Sequence, residues 1–168
     1  SQPPDHFDVT AEPYLDNPLV VMAPKDHALA KKRNIPIERL ADEPFIMRES
    51  GSGTREAIQE LFARHKVDVR VRLELGSNEA IKQAIVGGLG LSVLSCHTLP
   101  PEDNMRELTI LDVKEFPIER QWYVVHLSGK RLSVVASTFL EYLQAEAETL
   151  GKGILSVQKK LISPTIES

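Results

Sequence analysis

Apolar and polar positions along the chain alternate between the spacings typical of strands and of helices. An unbroken apolar run over residues 19–23, ended by Pro24, predicts a buried strand, and a second strand is predicted over residues 45–48. Between them, a proline near a first helical turn predicts a short helix over residues 35–40. Residues 1–17 are polar and proline-rich without sustained periodicity, so we expect a connector there.

From residue 54 onward the apolar positions recur at the spacing of an amphipathic helix. Residues 69–75 alternate apolar and polar side chains, which predicts a half-buried strand. Ser77 can cap the next helix, and the glycines within residues 87–90 can end it. The remaining pattern predicts three strands and a final helix, over residues 91–95, 108–113, 120–127 and, for the helix, from about Ser133 to Leu150.

This order of elements indicates an α/β fold with a parallel or mixed sheet that helices cover on both faces. Residues 25–116 form a compact unit in this interpretation. The strands over residues 19–23 and 120–127, with the final helix, flank that unit and are expected to form part of a second, incomplete lobe. We expect the chain to cross between the lobes near Ala23–Pro24 and Phe116–Glu119.

The composition narrows the class of protein. Of the residues, 42% are hydrophobic and 26% are charged, as is typical of soluble globular proteins. The formal net charge of −4, without a dense block of Lys and Arg, offers no general attraction to a polyanion, so the chain alone should not bind DNA well. The single cysteine, Cys96, excludes an intramolecular disulfide and fits a reducing cytoplasm, and no apolar stretch is long enough to insert into a membrane.

The segment Arg48-Glu49-Ser50-Gly51-Ser52-Gly53-Thr54-Arg55 joins a strand end to a helix start. Ligands of open α/β sheets bind at such ends, where the helix presents free N–H groups and its positive dipole end. Hydroxyl groups and a guanidinium beside the helix start predict an anion cradle, with candidate contacts at Ser50, Ser52, Thr54 and Arg55. The alternative is that Ser52 or Thr54 only caps the helix and that the arginines are solvated. A Walker loop is excluded because its Gly-Lys-Ser/Thr ending is absent.

A second helix start, Gly76-Ser77-Asn78, would face the same cleft if the two preceding strands are neighbours in the sheet. Ser77 and Asn78 are therefore further candidate ligand contacts. Capping of the helix by the same residues is the alternative explanation.

Catalytic chemistry finds little support in the sequence. The serines lack a G-x-S-x-G elbow, and none of the five histidines forms a metal-ligand pair at i, i+4 spacing. Cys96 lies beside His97, but neighbouring residues on an extended strand point to opposite faces, which argues against an activated thiol. Trp122 and Tyr123 at the second lobe crossing either line a pocket or belong to the core. We expect no catalytic residue, no metal ligand and no cofactor.

Three runs of the sequence, in the same order, resemble the effector-binding domain of LysR-type transcriptional regulators. Residues 19–30 resemble the strand and hinge that enter the second lobe of that domain, although Ala28 replaces the proline of the usual His-Pro-Leu pattern. Residues 45–55 resemble its ligand-contacting turn, and residues 77–91 its next helix and glycine turn. The combination Arg-Glu-Ser-Gly-Ser-Gly-Thr-Arg with Leu-Ser-Val-Leu-Ser is most similar to the carbon-fixation branch, the CbbR- and CmpR-like regulators.

The resemblance implies a periplasmic-binding-protein-like, two-lobed effector domain whose first lobe is incomplete. Residues 1–24 and 117–150 would form part of the first lobe, residues 25–116 the second lobe, and residues 151–168 a C-terminal tail outside the core. An N-terminal winged helix-turn-helix, absent from this sequence, would carry DNA binding. We also expect a cytoplasmic homo-oligomer without a membrane partner.

The branch further implies a small anionic effector, phosphorylated or carboxylated, such as ribulose bisphosphate, phosphoglycolate or 2-oxoglutarate. By position, Ser50, Ser52, Thr54 and Arg55 match the family's second-lobe contacts, and Ser77 and Asn78 are further candidates. A helix start rich in hydroxyl groups and arginine suits such ligands.

Two other classes of protein share this scaffold. An extracytoplasmic solute-binding protein has the same two lobes and would be recognised by a signal peptide in the complete gene. An enzyme such as prephenate dehydratase would need a Thr-Arg-Phe motif, but Glu56 follows Thr54-Arg55 here. We expect no turnover of prephenate.

Overall fold

The computed structural model of the protein describes residues 6–99 and 107–147. Within them the strands are β1 (Val9–Asp16), β2 (Leu19–Pro24), β3 (Pro44–Arg48), β4 (Arg70–Leu75), β5 (Ser92–Ser95), β6 (Leu108–Ile110) and β7 (Gln121–Leu127). The α-helices are α1 (Gly53–His65), α2 (Asn78–Val86) and α3 (134–147), with 3-10 turns at Ile37–Asp42 and Cys96–Thr98. The helices in this part of the chain lack the length and hydrophobicity needed to cross a bilayer.

A mixed sheet forms the centre of the molecule, as the sequence predicts. β2 pairs antiparallel with β5 on one side and with β6 on the other, and β3 pairs parallel with β4. Leu91 joins the two groups of strands, because its N–H donates to Pro44 O at 2.8 Å and its carbonyl accepts from Ile46 N–H at 2.7 Å. The strand order is therefore β4-β3-β5-β2-β6.

Helices cover both faces of this sheet. On one face, α1 packs Ile58, Leu61 and Phe62 against a core that includes Phe45. On the other face, α2 contributes the buried residues Ile81, Ala84 and Ile85. The side chains of β2 alternate between the two cores, so this strand is buried on both faces. The continuous apolar run that predicts β2 has this physical origin.

The strand β2 lies inside the compact unit and not beside it. We expected residues 19–23 to flank residues 25–116, but their pairing with β5 and β6 places them at the centre of the sheet. If the chain changes lobes as predicted, these pairings put the first crossing at Asn17–Pro18, between β1 and β2, and not at Ala23–Pro24. The backbone N–H of Asn17 donates to Arg120 O at 2.6 Å, so Asn17 lies beside the residue that follows the second predicted crossing, Phe116–Glu119. These two stretches are called the crossing segments below. The division of the chain into two lobes stays a prediction.

The strand β1 contradicts the expected connector over residues 1–17. It pairs antiparallel with β7, from Val9 opposite Leu127 to Asp16 opposite Gln121, with an irregularity between Pro13 and Leu15. Proline interrupts the alternation of side chains, so the local pattern gives no strand signal. The hydrogen-bonding partner that makes this segment a strand is more than one hundred residues away in the sequence.

The final helix follows the predicted start. The Oγ of Ser133 accepts a hydrogen bond from Ala136 N–H at 3.2 Å, which caps α3, and the predicted end at Leu150 lies outside the described residues. The helix presents exposed apolar side chains, with Val134 81% and Val135 80% exposed and Phe139 59% exposed. An exposed apolar face of this kind is typical of a surface that another segment or chain covers.

Candidate anion-binding site

The two helix starts that the sequence singles out lie at the same edge of the sheet. β3 and β4 are parallel neighbours, so the turns that follow them, at residues 49–52 and 76–77, meet beside the starts of α1 and α2. Phe45 and Leu91 form a parallel bridge, which brings the carboxyl end of β5 to this edge as well. The condition that the strands be neighbours is therefore met.

At the start of α1, the hydroxyl group of the N-cap residue does not form the usual capping hydrogen bond. Ser52 is the N-cap residue and is buried, but its side chain makes no capping hydrogen bond. Thr54 is half-buried and Ser50 is exposed. The N–H groups of the first helical turn have no acceptor within the helix. The cradle thus offers hydroxyl and N–H donors, and the contacts of Ser50, Ser52 and Thr54 with a ligand stay predictions.

The side chain of Arg55 forms hydrogen bonds with residues of β3 and β4. One of its Nη atoms donates to Glu74 Oε2 at 2.5 Å and to the carbonyl of Arg48 at 3.0 Å. These contacts tie the start of α1 to β3 and β4. The alternative that this arginine is merely solvated is wrong, while its contact with a ligand stays a prediction.

Arg48 links the two turns. Its Nε and Nη2 donate to the two carboxylate oxygens of Glu49 at 2.7 and 2.8 Å, and its Nη1 donates to Asn78 Oδ1 at 2.8 Å. The carboxylate of Glu49 also lies against Gly76, because a Cβ on that glycine would be 3.8 Å from the carboxyl carbon. Asn78 therefore already has a partner in the protein. Sequence reasoning missed the role of Arg48, whose only signal was an adjacent acid at a strand end.

The candidate Ser77 caps α2. Its Oγ accepts from Ala80 N–H at 3.4 Å, which is the alternative that the sequence left open. Ser77 is exposed at the same edge as the start of α1. The capping bond accounts for the serine at this position, and its contact with a ligand stays a prediction.

Residues beside the ends of β1 and β7 contact the same edge of the sheet. Asn17 is buried, and its Oδ1 accepts a hydrogen bond from Ser95 Oγ. Arg120 reaches the start of α1, where its Nη1 donates to Gly53 O at 2.9 Å. Sequence reasoning missed both residues, because neither belongs to a local pattern.

Cys96 is buried, and the ring of His97 contacts other groups. Burial raises the pKa of the Cys96 thiol to about 11, and Cys96 begins a 3-10 turn where we had assumed an extended strand. The ring of His97 stacks on Trp122 with 4.4 Å between ring centres, and His97 Nε2 lies 2.7 Å from Asp16 O. Within residues 6–99 and 107–147, no group of three or more His, Cys, Asp or Glu residues could hold a metal ion.

The ion pair between Arg48 and Glu49 should keep Glu49 ionised at low pH. Hydrogen bonds from Arg48 lower the pKa of Glu49 to about 2, from an ordinary value of 4.5. The stabilisation from ionised Glu49 is complete above pH 4.5 and is lost as the pH falls through about 2. In a side-chain NMR titration we expect Glu49 to change protonation near pH 2.

The variant Arg48→Gln should raise the pKa of Glu49 toward its ordinary value. Arg39→Gln removes an exposed arginine that pairs with Asp42 elsewhere, so it should leave the pKa of Glu49 unchanged. A wild-type pKa of Glu49 in the ordinary range would show that the ion pair does not persist in solution.

The mixed sheet, the two crossing segments and the donor-rich helix starts beside them define a ligand-binding domain of the periplasmic-binding-protein type. The chain belongs to the LysR substrate binding domain family, because the sequence model of that family matches residues 1–148. It is 48% identical over 149 residues to the HTH-type transcriptional activator CmpR of Synechocystis, covering 89% of this chain and 49% of that protein. It is 51% identical over 144 residues to the RuBisCO operon transcriptional regulator of Acidithiobacillus ferrooxidans, covering 86% of this chain and 47% of that protein.

Among solved structures, the regulatory domain of CcmR from Synechocystis in complex with 2-PG is 65% identical to this chain. The TM-score is 0.84, and the match covers 89% of this chain and 72% of that one. The effector binding domain of QuiR in complex with shikimate, at 21% identity and a TM-score of 0.74, shows the shared fold alone. The predicted resemblance to the carbon-fixation branch is confirmed, and a solute-binding protein is not favoured. The chain spans about half the length of the curated relatives it matches.

Proposed function

We propose that this chain is the effector-sensing part of a DNA-binding regulator of carbon-fixation genes, and that its effector is a small phosphorylated or carboxylated metabolite. The observation that carries the proposal is the 65% identity to a regulatory domain whose structure contains 2-PG. We take 2-phosphoglycolate as the first candidate effector. Ribulose bisphosphate and 2-oxoglutarate are the alternatives to be titrated beside it.

The chemistry of the helix start supports this class of ligand. A phosphate or carboxylate accepts several hydrogen bonds at once, and charge-assisted bonds are stronger than those between neutral groups. The N–H groups of the first turn of α1 and the hydroxyl groups of Ser50, Ser52 and Thr54 supply such donors. Arg48 and Arg55 lie at the base of the turn, where Glu49 and Glu74 offset their charges, so the support rests on the N–H and hydroxyl donors.

The regulatory step that we propose is a shift in the relative position of two lobes. The second lobe carries the helix starts, and the first lobe, which includes β1, β7 and α3, carries the opposite wall of the cleft. A ligand shifts such an equilibrium only through contacts that differ between the two states. DNA would be bound by a segment outside this chain, and the domain itself would catalyse no reaction.

The test is a calorimetric titration of the complete regulator with 2-phosphoglycolate. Thr54→Val keeps the shape of the side chain but removes its hydroxyl group, so we expect the affinity to fall about tenfold, or about 1.4 kcal/mol. Thr138→Val is the matched control, because Thr138 is exposed on α3 and its hydroxyl lies outside the cradle. Thr54 is a cleaner test than Arg55, whose replacement also breaks the contacts with Glu74 and Arg48.

Two results would contradict the proposal in different ways. If the wild-type regulator binds none of the three candidate metabolites, the effector class is wrong. If it binds one of them and Thr54→Val binds that metabolite as tightly as wild type, the threonine hydroxyl is not a contact and the ligand lies elsewhere.

A further inference from the structure

The side-chain amide of Asn17 is held in one orientation by a chain of hydrogen bonds. Asn17 lies between β1 and β2 and is only 7% exposed. Its Oδ1 accepts the hydroxyl hydrogen of Ser95, the last residue of β5, while Ser95 Oγ itself accepts from His97 N–H at 3.1 Å. Because the single hydrogen of this hydroxyl is directed to Asn17, the oxygen of the amide faces Ser95 and its nitrogen, Nδ2, points away.

The nitrogen Nδ2 of Asn17 is a donor that the protein leaves unused. Within residues 6–99 and 107–147 it forms no hydrogen bond. No fully buried side-chain nitrogen or oxygen in this part of the chain lacks a partner, so Nδ2 is an atom that still reaches the surface. Polar groups of buried residues are hydrogen-bonded in the great majority of cases. A buried asparagine that presents its donor at the surface, without an acceptor from the protein, is suited to a ligand.

This donor lies at the edge of the sheet that carries the start of α1. Ser95 ends β5, which is the parallel neighbour of β3, and neighbouring strands are about 4.8 Å apart. A second connection runs through Arg120, whose carbonyl accepts from Asn17 N–H at 2.6 Å and whose Nη1 donates to Gly53 O at 2.9 Å. One small molecule can therefore contact both Asn17 and the start of α1.

The two positions suit different groups of a ligand. The start of α1 offers several N–H and hydroxyl donors together, which suits the oxygens of a phosphate. Asn17 offers one neutral donor, which suits a single carboxylate oxygen. A ligand with one acid group would use only one of the two positions. An anion with two acid groups on a short spacer would use both.

We propose that Nδ2 of Asn17 donates a hydrogen bond to a second acid group of the effector, so that the site selects small anions with two acid groups. The inference rests on the proposed function and assigns to that site a contact outside the turn at α1. For 2-phosphoglycolate, the phosphate would bind at the start of α1 and the carboxylate at Asn17. Ser95 is a positioning residue, because it orients the amide.

The experiment measures binding of 2-phosphoglycolate to the complete regulator by calorimetry. Asn17→Asp keeps the shape of the side chain and an acceptor for Ser95, but it replaces the donating nitrogen by a charged oxygen. Loss of one hydrogen bond to a charged group, with added repulsion, should weaken binding about thirtyfold or more. The matched control is Gln59→Glu, which makes the same change from amide to carboxylate at an exposed position of α1. Because solvent screens its charge, it should weaken binding less than about twofold.

A second ligand separates a direct contact from a general effect of charge. Ethyl phosphate has a methyl group in place of the carboxylate of 2-phosphoglycolate, so wild type should bind it at least about tenfold more weakly. Asn17→Asp should weaken binding of ethyl phosphate by only about threefold, through repulsion alone. Ser95→Ala removes the bond that orients the amide, so it should weaken binding of 2-phosphoglycolate about threefold and leave binding of ethyl phosphate unchanged. Thermal unfolding of each variant detects any loss of structure.

The possible failures are distinguishable. If wild type binds 2-phosphoglycolate and Asn17→Asp binds it as tightly as Gln59→Glu does, the amide is not a contact, while the proposed function stands. Equal affinity of wild type for the two ligands, or equal weakening of both by Asn17→Asp, would likewise overturn the inference. If Asn17→Asp does not fold, Ser95→Ala decides, and unchanged affinity for 2-phosphoglycolate in that variant overturns the inference. If wild type binds no candidate anion, both the proposed function and this inference fail.

Discussion

Replacing Gly90 by alanine is expected to lower the free energy of unfolding by about 3 kcal/mol, through backbone strain and steric overlap together. Gly90 has a φ of +155°, and a Cβ there would lie 2.5 Å from Pro44 O and 2.9 Å from Pro44 C. These are backbone atoms that cannot rotate away. The carbonyl of Pro44 accepts from Leu91 N–H, which is part of the connection between β3 and β5. Relief of the overlap would require these strands to separate.

Gly88→Ala is the matched control for this prediction. Gly88 also has a positive φ, of +70°, but a Cβ there would meet nothing within 4 Å. Its replacement should therefore cost only the conformational strain, about 1 kcal/mol. Thermal unfolding should show a decrease of about 6–12 °C for Gly90→Ala and about 2–4 °C for Gly88→Ala. Equal decreases for the two variants would show that the close approach of Gly90 to Pro44 is absent in solution.

The elements with a strong local pattern could be predicted from the sequence, because the pattern reflects which faces of each element are buried. β2 reads as an unbroken apolar run because both of its faces are covered, and α1 shows one apolar stripe because it packs on one side. The partners of β2 could not be predicted, since a run of apolar residues carries no information on which strands lie beside it. For that reason we predicted a crossing after β2, whereas the pairing of β2 with β5 and β6 keeps this strand in the same sheet as the residues that follow it.

In the candidate site, too, local features could be predicted from the sequence and contacts between distant segments could not. The hydroxyl-rich turn and the cap at Ser77 follow from local sequence, and the meeting of the two helix starts follows from the parallel pairing of β3 and β4. The pairing of Arg55 with Glu74 and the contact of Arg120 with Gly53 depend on tertiary structure. Side chains from distant segments meet only when the sheet is assembled, so their charges in the sequence identify no partner.

The thiol of Cys96 is expected to be almost unreactive in the folded protein. Burial raises its pKa to about 11, with a smaller contribution from the negative charge of Glu119, and only the thiolate is a good nucleophile. At about pH 8, a thiol with a pKa near 11 is ionised in roughly one molecule per thousand, compared with roughly one in ten at the ordinary value of 9.0. Ionisation alone therefore slows its reaction with a disulfide reagent about a hundredfold.

The measurement follows the reaction of the folded and the urea-unfolded chain with such a reagent at about pH 8, where the folded chain should react at least a hundredfold more slowly. The matched control places a thiol in the cradle: Ser50→Cys in a Cys96→Ala background, where residue 50 is exposed. That thiol should react readily, and 2-phosphoglycolate should slow it in the complete regulator, because the proposed ligand covers the turn. Rapid reaction of native Cys96 would mean that the thiol is accessible and ionised, and a nucleophilic role beside His97 would then have to be reconsidered. Slow reaction of Cys96 would show that its sulfur is part of the core. Protection of residue 50 by the ligand would show that the ligand binds at the start of α1.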